Sequence, residues 1–218
     1  MTKTSKIALS LLLTFTSLSS AFASDIALNQ RLAKFDLHVV QDGAIYRGGR
    51  PHRTGMLALK EIGVRTIIGL QGGDFVSKTP FHEVLEAVSP GERISSERDE
   101  AKDALELGLN FVWAPLSAVI FYTNKITYRE DKIVDRALAA MNDSRNYPIY
   151  VHCTKGRDRT GMIIALWRVQ NGWSPEKAHA EWVASGHRGL TGFLTHTLDS
   201  YFFNKAAQLI SARETGRN

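Results

Sequence analysis

The segment Ile149–Ala165, IYVHCTKGRDRTGMIIA, constrains the fold more than any other stretch of the chain. A strand-like run, YPIYVH (147–152), leads into it, and a helix-like run, RTGMIIALWRVQNG (159–172), leads out with a nearly all-apolar interior. Elements apolar on every side belong at the centre of a molecule, so Cys153–Asp158 must turn the chain tightly between them. Backbone N–H groups in such a loop can point inward, and the following helix presents its positive end. Together these make an anion site. The loop begins with the chain's one cysteine, Cys153, which is followed by Lys155, Arg157 and Arg159.

The rest of the pattern agrees with a central strand and helix. AIYRGGRP (44–51) reads as a short strand running into a Gly-rich loop, TGMLALKEIG (54–63) as a helix stopped by Gly63, and VRTIIGLQ (64–71) as a buried strand. Helices are expected over 95–110 and 124–143, with a strand, FVWAPL, at 111–116 between them. A further helix over 174–186 has Ser174 as N-cap and Pro175 at its first position, and one over 198–212 closes the chain. Strands alternating with helices predict an α/β fold: a single domain with a mostly parallel sheet of four to five strands, flanked by helices.

The N-terminus reads as a targeting segment. Lys3 and Lys6 precede an apolar run, Ile7–Leu18, and Ala21-Phe22-Ala23 fits a cleavage site, so 1–23 is expected to be a signal peptide and 24–218 the mature domain. The apolar run is too short to span a bilayer comfortably, and Ser and Thr interrupt it. No integral membrane segment is expected after its removal, and the protein is expected to be exported, to a periplasm or out of the cell. Loss of Lys3 and Lys6 takes the net charge from +5 to +3, a balance that fits an anionic small substrate without requiring nucleic acid. No aromatic and basic interleaving offers a base-stacking platform, so no nucleic-acid partner is expected.

A lone cysteine in an exported protein is a buried filler, an intermolecular bridge or a working thiolate. Its neighbours favour the last, because the field that binds an anion also stabilises a thiolate. Arg159 carries the planar fork that grips two phosphate oxygens. Thr154, Lys155, Gly156, Arg157 and Gly161 are expected to line the phosphate site and bind substrate. Gly156 permits a backbone geometry that other residues resist, and Lys155 and Arg157 add charge at the rim. Thr160 is placed to donate a hydroxyl hydrogen bond to the sulfur. Gly161 lets the helix start pack closely. Arg47, in the earlier Gly-rich loop with Arg50 and Arg53, is a further substrate-contact candidate. His152 is expected to support the loop and thiolate rather than move protons.

His152-Cys153-x5-Arg159-Thr160-Gly161 resembles the signature loop of the cysteine-based protein tyrosine and dual-specificity phosphatases, in its HCxxGxxRTG form. IYRGGRPHRTGMLALKEIGVRTIIGLQ (45–71) and ELGLNFVWAPLSA (106–118) are similar to a bacterial and fungal dual-specificity-like subgroup, and the likeness covers about 44–187. The resemblance implies a dual-specificity phosphatase-like fold and hydrolysis of phosphate monoesters. Cys153 would form a cysteinyl-phosphate that water then cleaves. It implies no metal and no organic cofactor, and the histidines His82, His179 and His196 show no metal-ligand spacing. The loop CTKGRDRTG is similar to subgroups that act on phosphoinositides or inositol phosphates. The implied substrate is a phosphorylated small molecule, lipid or protein, with the lean toward the first two.

One departure stands out. The resemblance implies an aspartate, as general acid, on the loop after FVWAPL, but SAVIFYTNK (117–125) contains no carboxylate. Asp158, before Arg159, is the alternative, as in the similar myotubularin-like lipid phosphatases. It must carry a proton to donate one, yet the surrounding cations favour its ionised form, while a bound phosphate dianion pushes the other way. The bland role for Asp158 is to shape the loop. Glu97, Asp99, Glu100 and Asp103 are remoter acids, expected mostly on a solvated helix face. Lys125, Arg129, His187 and Arg188 are weaker candidates for the pocket rim. Two other readings stay open: a protein tyrosine or dual-specificity phosphatase, and a catalytically weak phosphate-binding module.

Overall fold

The computed structural model describes residues 25–71, 97–116, 128–187 and 195–216. The expected leader (1–23), SAVIFYTNK (117–125) with its Lys125, His82, Arg188 and the side chains of Glu97, Asp99 and His196 lie outside the described residues.

Five strands form one sheet in the order β1-β2-β5-β3-β4. Strands β2 (Ile45–Gly48), β5 (Ile149–His152), β3 (Thr66–Gln71) and β4 (Asn110–Leu116) run parallel, as the alternation of elements predicts. The edge strand β1 (His38–Gln41) pairs antiparallel with β2 through a short turn. The sequence reading does not anticipate β1, since HVVQ is short and three of its four residues are exposed. It also omits α1 (25–33), whose Leu32 packs under the sheet.

Side chains alternate across the pleat and feed two cores. Ile149 and Val151 of β5 and Ile68 and Leu70 of β3 face one side. There they meet α4 (Tyr128–Asn142), α5 (Asp158–Gln170), α6 (Pro175–Ala184) and α7 (Thr195–Glu214). Tyr150 and Ile67 face the other side, where α1, α2 (Arg53–Glu61) and α3 (Glu97–Glu106) cover them. Both faces are therefore sealed, which a parallel sheet of nearly continuous apolar strands requires. Met162 through Leu166 of α5 are all buried, as its apolar run predicts. Each such Ile or Leu contributes about 1.5–3 kcal/mol on leaving water. Ser174 Oγ accepts from Lys177 N at 3.2 Å and caps α6, with Pro175 at the first helical turn.

The register decides where the site sits. His152, the last residue of β5, lies between Gly48 of β2 and Gly69 of β3. The chain leaves β5 at the carboxyl edge of the parallel strands, where open α/β sheets place their ligands.

Candidate active site

The loop Cys153–Asp158 is held from outside by its carbonyls. Arg50 N donates to Thr154 O at 3.1 Å. Arg47 donates through Nη2 to Gly156 O, and at 3.4 Å to Arg157 O. Trp182 Nε1 of α6 donates to Arg157 O at 3.1 Å. A loop whose carbonyls are bound from outside turns its N–H groups inward, the arrangement that cradles an anion. Gly156 makes this path feasible. Its φ is +70°, and a Cβ there would run into the main chain of Gly48.

Cys153 is 4% exposed at the floor of this loop, in front of the N-terminus of α5. That helix end supplies partial positive charge to whatever sits there. Arg159, the second residue of α5, is also buried. Its Nη2 donates to Thr154 Oγ1 at 3.1 Å, and its Nη1 donates to Leu116 O at 2.9 Å and Leu70 O at 3.4 Å. The guanidinium thus ties the loop to the ends of β3 and β4.

Behind the cysteine lies a buried charge cluster. The fully buried His152 places Nδ1 3.3 Å from Cys153 O and Nε2 2.7 Å from Glu100 Oε1. The second Glu100 oxygen takes Arg50 Nε at 3.0 Å. Burial pushes the Glu100 carboxyl up, but His152 and Arg50 outweigh it and hold it below the usual carboxylate range. Burial also pulls the Arg47 guanidinium below its ordinary value, with Cys153 the largest influence the other way.

Asp158 opens α5 beside the loop. Its Oδ1 is 2.7 Å from His187 Nδ1, and His187 Nε2 is 3.2 Å from Asp199 Oδ1 of α7. His187 stacks on Trp182 with ring centroids 3.9 Å apart. A cleft of about 340 Å³ adjoins the loop, and Arg31, Lys34, His52, Lys155 and Arg157 are among its walls. Among the described residues, no group of three or more His, Cys, Asp or Glu side chains is placed to hold a metal ion. No helix there is long and apolar enough to cross a membrane.

The family model described as DSP-PTPase phosphatase fused to NAD+ kinase matches residues 31–195. The chain belongs to this DSP-PTPase family. Inositol diphosphatase DSP2 of Arabidopsis thaliana is 26% identical over 145 residues, 61% of this chain and 55% of that protein. The chain therefore spans just over half the length of that curated relative. The core catalytic domain of the PP-IP phosphatase SIW14 from S. cerevisiae aligns with a TM-score of 0.52 at 18% identity, covering 82% of this chain and 92% of that one. P. aeruginosa TpbA, as a variant in complex with phosphotyrosine, aligns with a TM-score of 0.54 at 18% identity, covering 82% and 90%. At such identities these two likenesses concern the fold.

The DSP-PTPase loop brings Cys153, Thr154, Gly156, Asp158 and Arg159 together, with Lys155 and Arg157 exposed at the rim. Three expectations change. Arg47 is not at the mouth: it is 4% exposed, and its guanidinium is committed to loop carbonyls, because β2 runs beside β5 and delivers it under Gly156. Glu100 is not on a solvated face: α3 turns it inward to the His152 ring, 4% exposed. Thr160 is fully buried, and its hydroxyl has no hydrogen-bond partner among the described residues, the sulfur included. Arg53 pairs with Asp103 at 2.6 Å on the surface, and Arg129 is exposed. Sequence reasoning missed the roles of Asp199, His179 and Trp182 around the DSP-PTPase loop. No local pattern signals them, since Trp182 reaches the loop from α6 while Asp199 and His179, on α7 and α6, act through His187.

Proposed function

We propose that the protein is an exported phosphoric monoester hydrolase working through Cys153. The observation that carries this reading is the loop itself, with its carbonyls tied outward by Arg47, Arg50 and Trp182, the cysteine at its floor and Arg159 tied to Thr154 and Leu116. A phosphate monoester enters with its oxygens toward the loop N–H groups and the Arg159 fork. The Cys153 sulfur attacks phosphorus as the bond to the leaving oxygen breaks, and Asp158 gives that oxygen a proton. Water then adds to phosphorus and gives a proton to Asp158, the S–P bond breaks with its electron pair returning to sulfur, and inorganic phosphate leaves. Lys155 and Arg157 meet the other negative groups of the substrate. His152 and Glu100 hold the floor of the loop, and Arg47 its underside.

The favoured substrate class is an inositol phosphate or phosphoinositide. The cation-lined cleft beside the loop supports it, since a single phosphate fills the loop and further phosphates need positive walls nearby. The names of the Arabidopsis relative and of the yeast fold neighbour point the same way. Export rests on the leader pattern at 1–23, with the periplasm or the exterior as destination and 24–218 as the mature phosphatase domain.

The test is phosphate release by the purified protein beside Cys153→Ser, over soluble inositol phosphates, phosphoinositides, phosphotyrosine and phosphothreonine peptides and p-nitrophenyl phosphate. Turnover by wild type alone, fastest on the inositol compounds, is expected. A preference for the phosphopeptides would move the substrate to protein. Failure of wild type on every compound, the activated aryl ester included, would leave only a phosphate-binding module.

A further inference from the structure

Asp158, His187, Asp199 and His179 form a chain of close contacts that the two-step reaction does not by itself require. The distances are 2.7 Å from Asp158 Oδ1 to His187 Nδ1, 3.2 Å from His187 Nε2 to Asp199 Oδ1, and 3.0 Å from His179 Nε2 to the same Asp199 oxygen. His187 is 7% exposed and stacked on Trp182, which fixes the plane of its ring.

A neutral imidazole has one N–H and one lone pair, and an ionised carboxylate only accepts. His187 lies between two carboxyl groups, so one N–H cannot serve both contacts. A second proton must sit in one of them. Asp199 Oδ1 already takes the approach of two imidazole nitrogens, His187 Nε2 and His179 Nε2, as an acceptor oxygen would. With Asp199 Oδ1 as acceptor from both rings, a proton between Asp158 and His187 satisfies the remaining contact.

We propose that His187, anchored by Asp199, is a positioning residue that keeps a transferable proton on the Asp158–His187 pair. This rests on the reading of Asp158 as the acid, and it answers how a carboxyl among arginines keeps a proton to give. In the first step the S–P bond forms, the P–O bond to the leaving group breaks, and the leaving oxygen takes the pair's proton from Asp158. The pair is then one proton short. In the second step water adds to phosphorus, the S–P bond breaks with its electron pair returning to sulfur, and the water's proton refills the pair. The charged groups near the pair are Arg157, whose side chain runs along the turn at Gly186, Arg47, which acts on Asp158 from beneath the loop, and Asp199 with His179.

The experiment compares p-nitrophenyl phosphate, whose leaving group departs without a proton, with phenyl phosphate, whose more basic leaving group needs one. It uses wild type, Asp158→Asn, His187→Gln, Asp199→Asn and the Asp158→Asn/His187→Gln double variant, each first shown to melt cooperatively. His187→Gln is expected to slow phenyl phosphate by about 10–100-fold and p-nitrophenyl phosphate by less than about three-fold. The double variant should be no slower than Asp158→Asn alone. Asp199→Asn should shift the alkaline limb of the phenyl phosphate profile to lower pH by about half a unit or more, because removing a negative neighbour weakens the pair's hold on its proton. Should His187→Gln fail to fold, the Asp199→Asn profile decides. If Asp158→Asn itself slows both esters equally, the acid assignment falls and the proposal with it. If Asp158→Asn discriminates between the esters while the folded His187 and Asp199 variants do not, the positioning role alone is overturned.

Discussion

In the proposed reaction Gly156 and Arg159 act on the same phosphate by different physics. Gly156 contributes a missing Cβ: at φ +70° and against the main chain of Gly48, any side chain forces the loop off its path. Gly156→Ala should lower kcat/KM by about 100-fold or more, because moving the loop by about 1 Å misplaces the reacting centre. Assay beside a thermal melt separates this from unfolding. Arg159 contributes a rigid fork already braced on Leu116 O and Thr154 Oγ1. Arg159→Lys keeps the charge but loses the planar pair of donors, so kcat/KM should fall by about 10²–10³-fold. A change under about three-fold in steady-state assays would contradict the bidentate role.

Strand β5 and helix α3 meet at the back of the loop, where His152 meets Glu100, and that contact predicts a fold sensitive to acid. Glu100 is held below the ordinary carboxylate range by His152 and Arg50 in spite of its burial. A carboxyl depressed in the folded state stabilises above its unfolded value, about pH 4.3, and loses that contribution as the pH falls through the lower folded value. Glu100→Gln should therefore cost about 1–3 kcal/mol at pH 7. It should also flatten the decline in stability below about pH 4.3. Urea midpoints at pH 7, 5, 4 and 3 measure both, and parallel wild-type and variant curves would exclude Glu100 as the acid-sensitive group. The sequence shows α3 as an acidic helix and nothing more. Which of its carboxylates turns inward depends on its packing against β4 and α2, and no local pattern carries that information.

The sheet seals one core under α1, α2 and α3 and another under α4 to α7, and the second depends on the C-terminal helix closing it. Lys205 of α7 is 5% exposed and reaches Asp131 at 2.9 Å and Asp135 at 2.7 Å on α4. Both aspartates are part-exposed, so the pair is worth less than a buried one. Lys205→Met should cost about 1–2 kcal/mol. That lowers Tm by about 2–4 °C per kcal/mol, which differential scanning calorimetry would read. A larger loss would mean that α7 leaves the core altogether.

Residues adjacent in the chain needed no tertiary structure to be read. The apolar β5 and α5 with Cys153–Asp158 between them, the Ser174 cap and the parallel alternation all follow from local periodicity and turn chemistry, which act over a few residues. The supports of the same loop do not. Arg47 stands 109 positions from Gly156, and His187 stands 29 from Asp158. What brings them in is strand register and helix packing: β2 beside β5 places Arg47 under the loop, and α6 on α5 places Trp182 and His187 against it. The chemistry of the loop is thus written in one contiguous segment. The shape proposed to bind phosphate, and the contacts of Asp158 with His187 and of His187 with Asp199, are set only when the sheet and its covering helices close, because the burial that fixes their partners does not exist in the open chain.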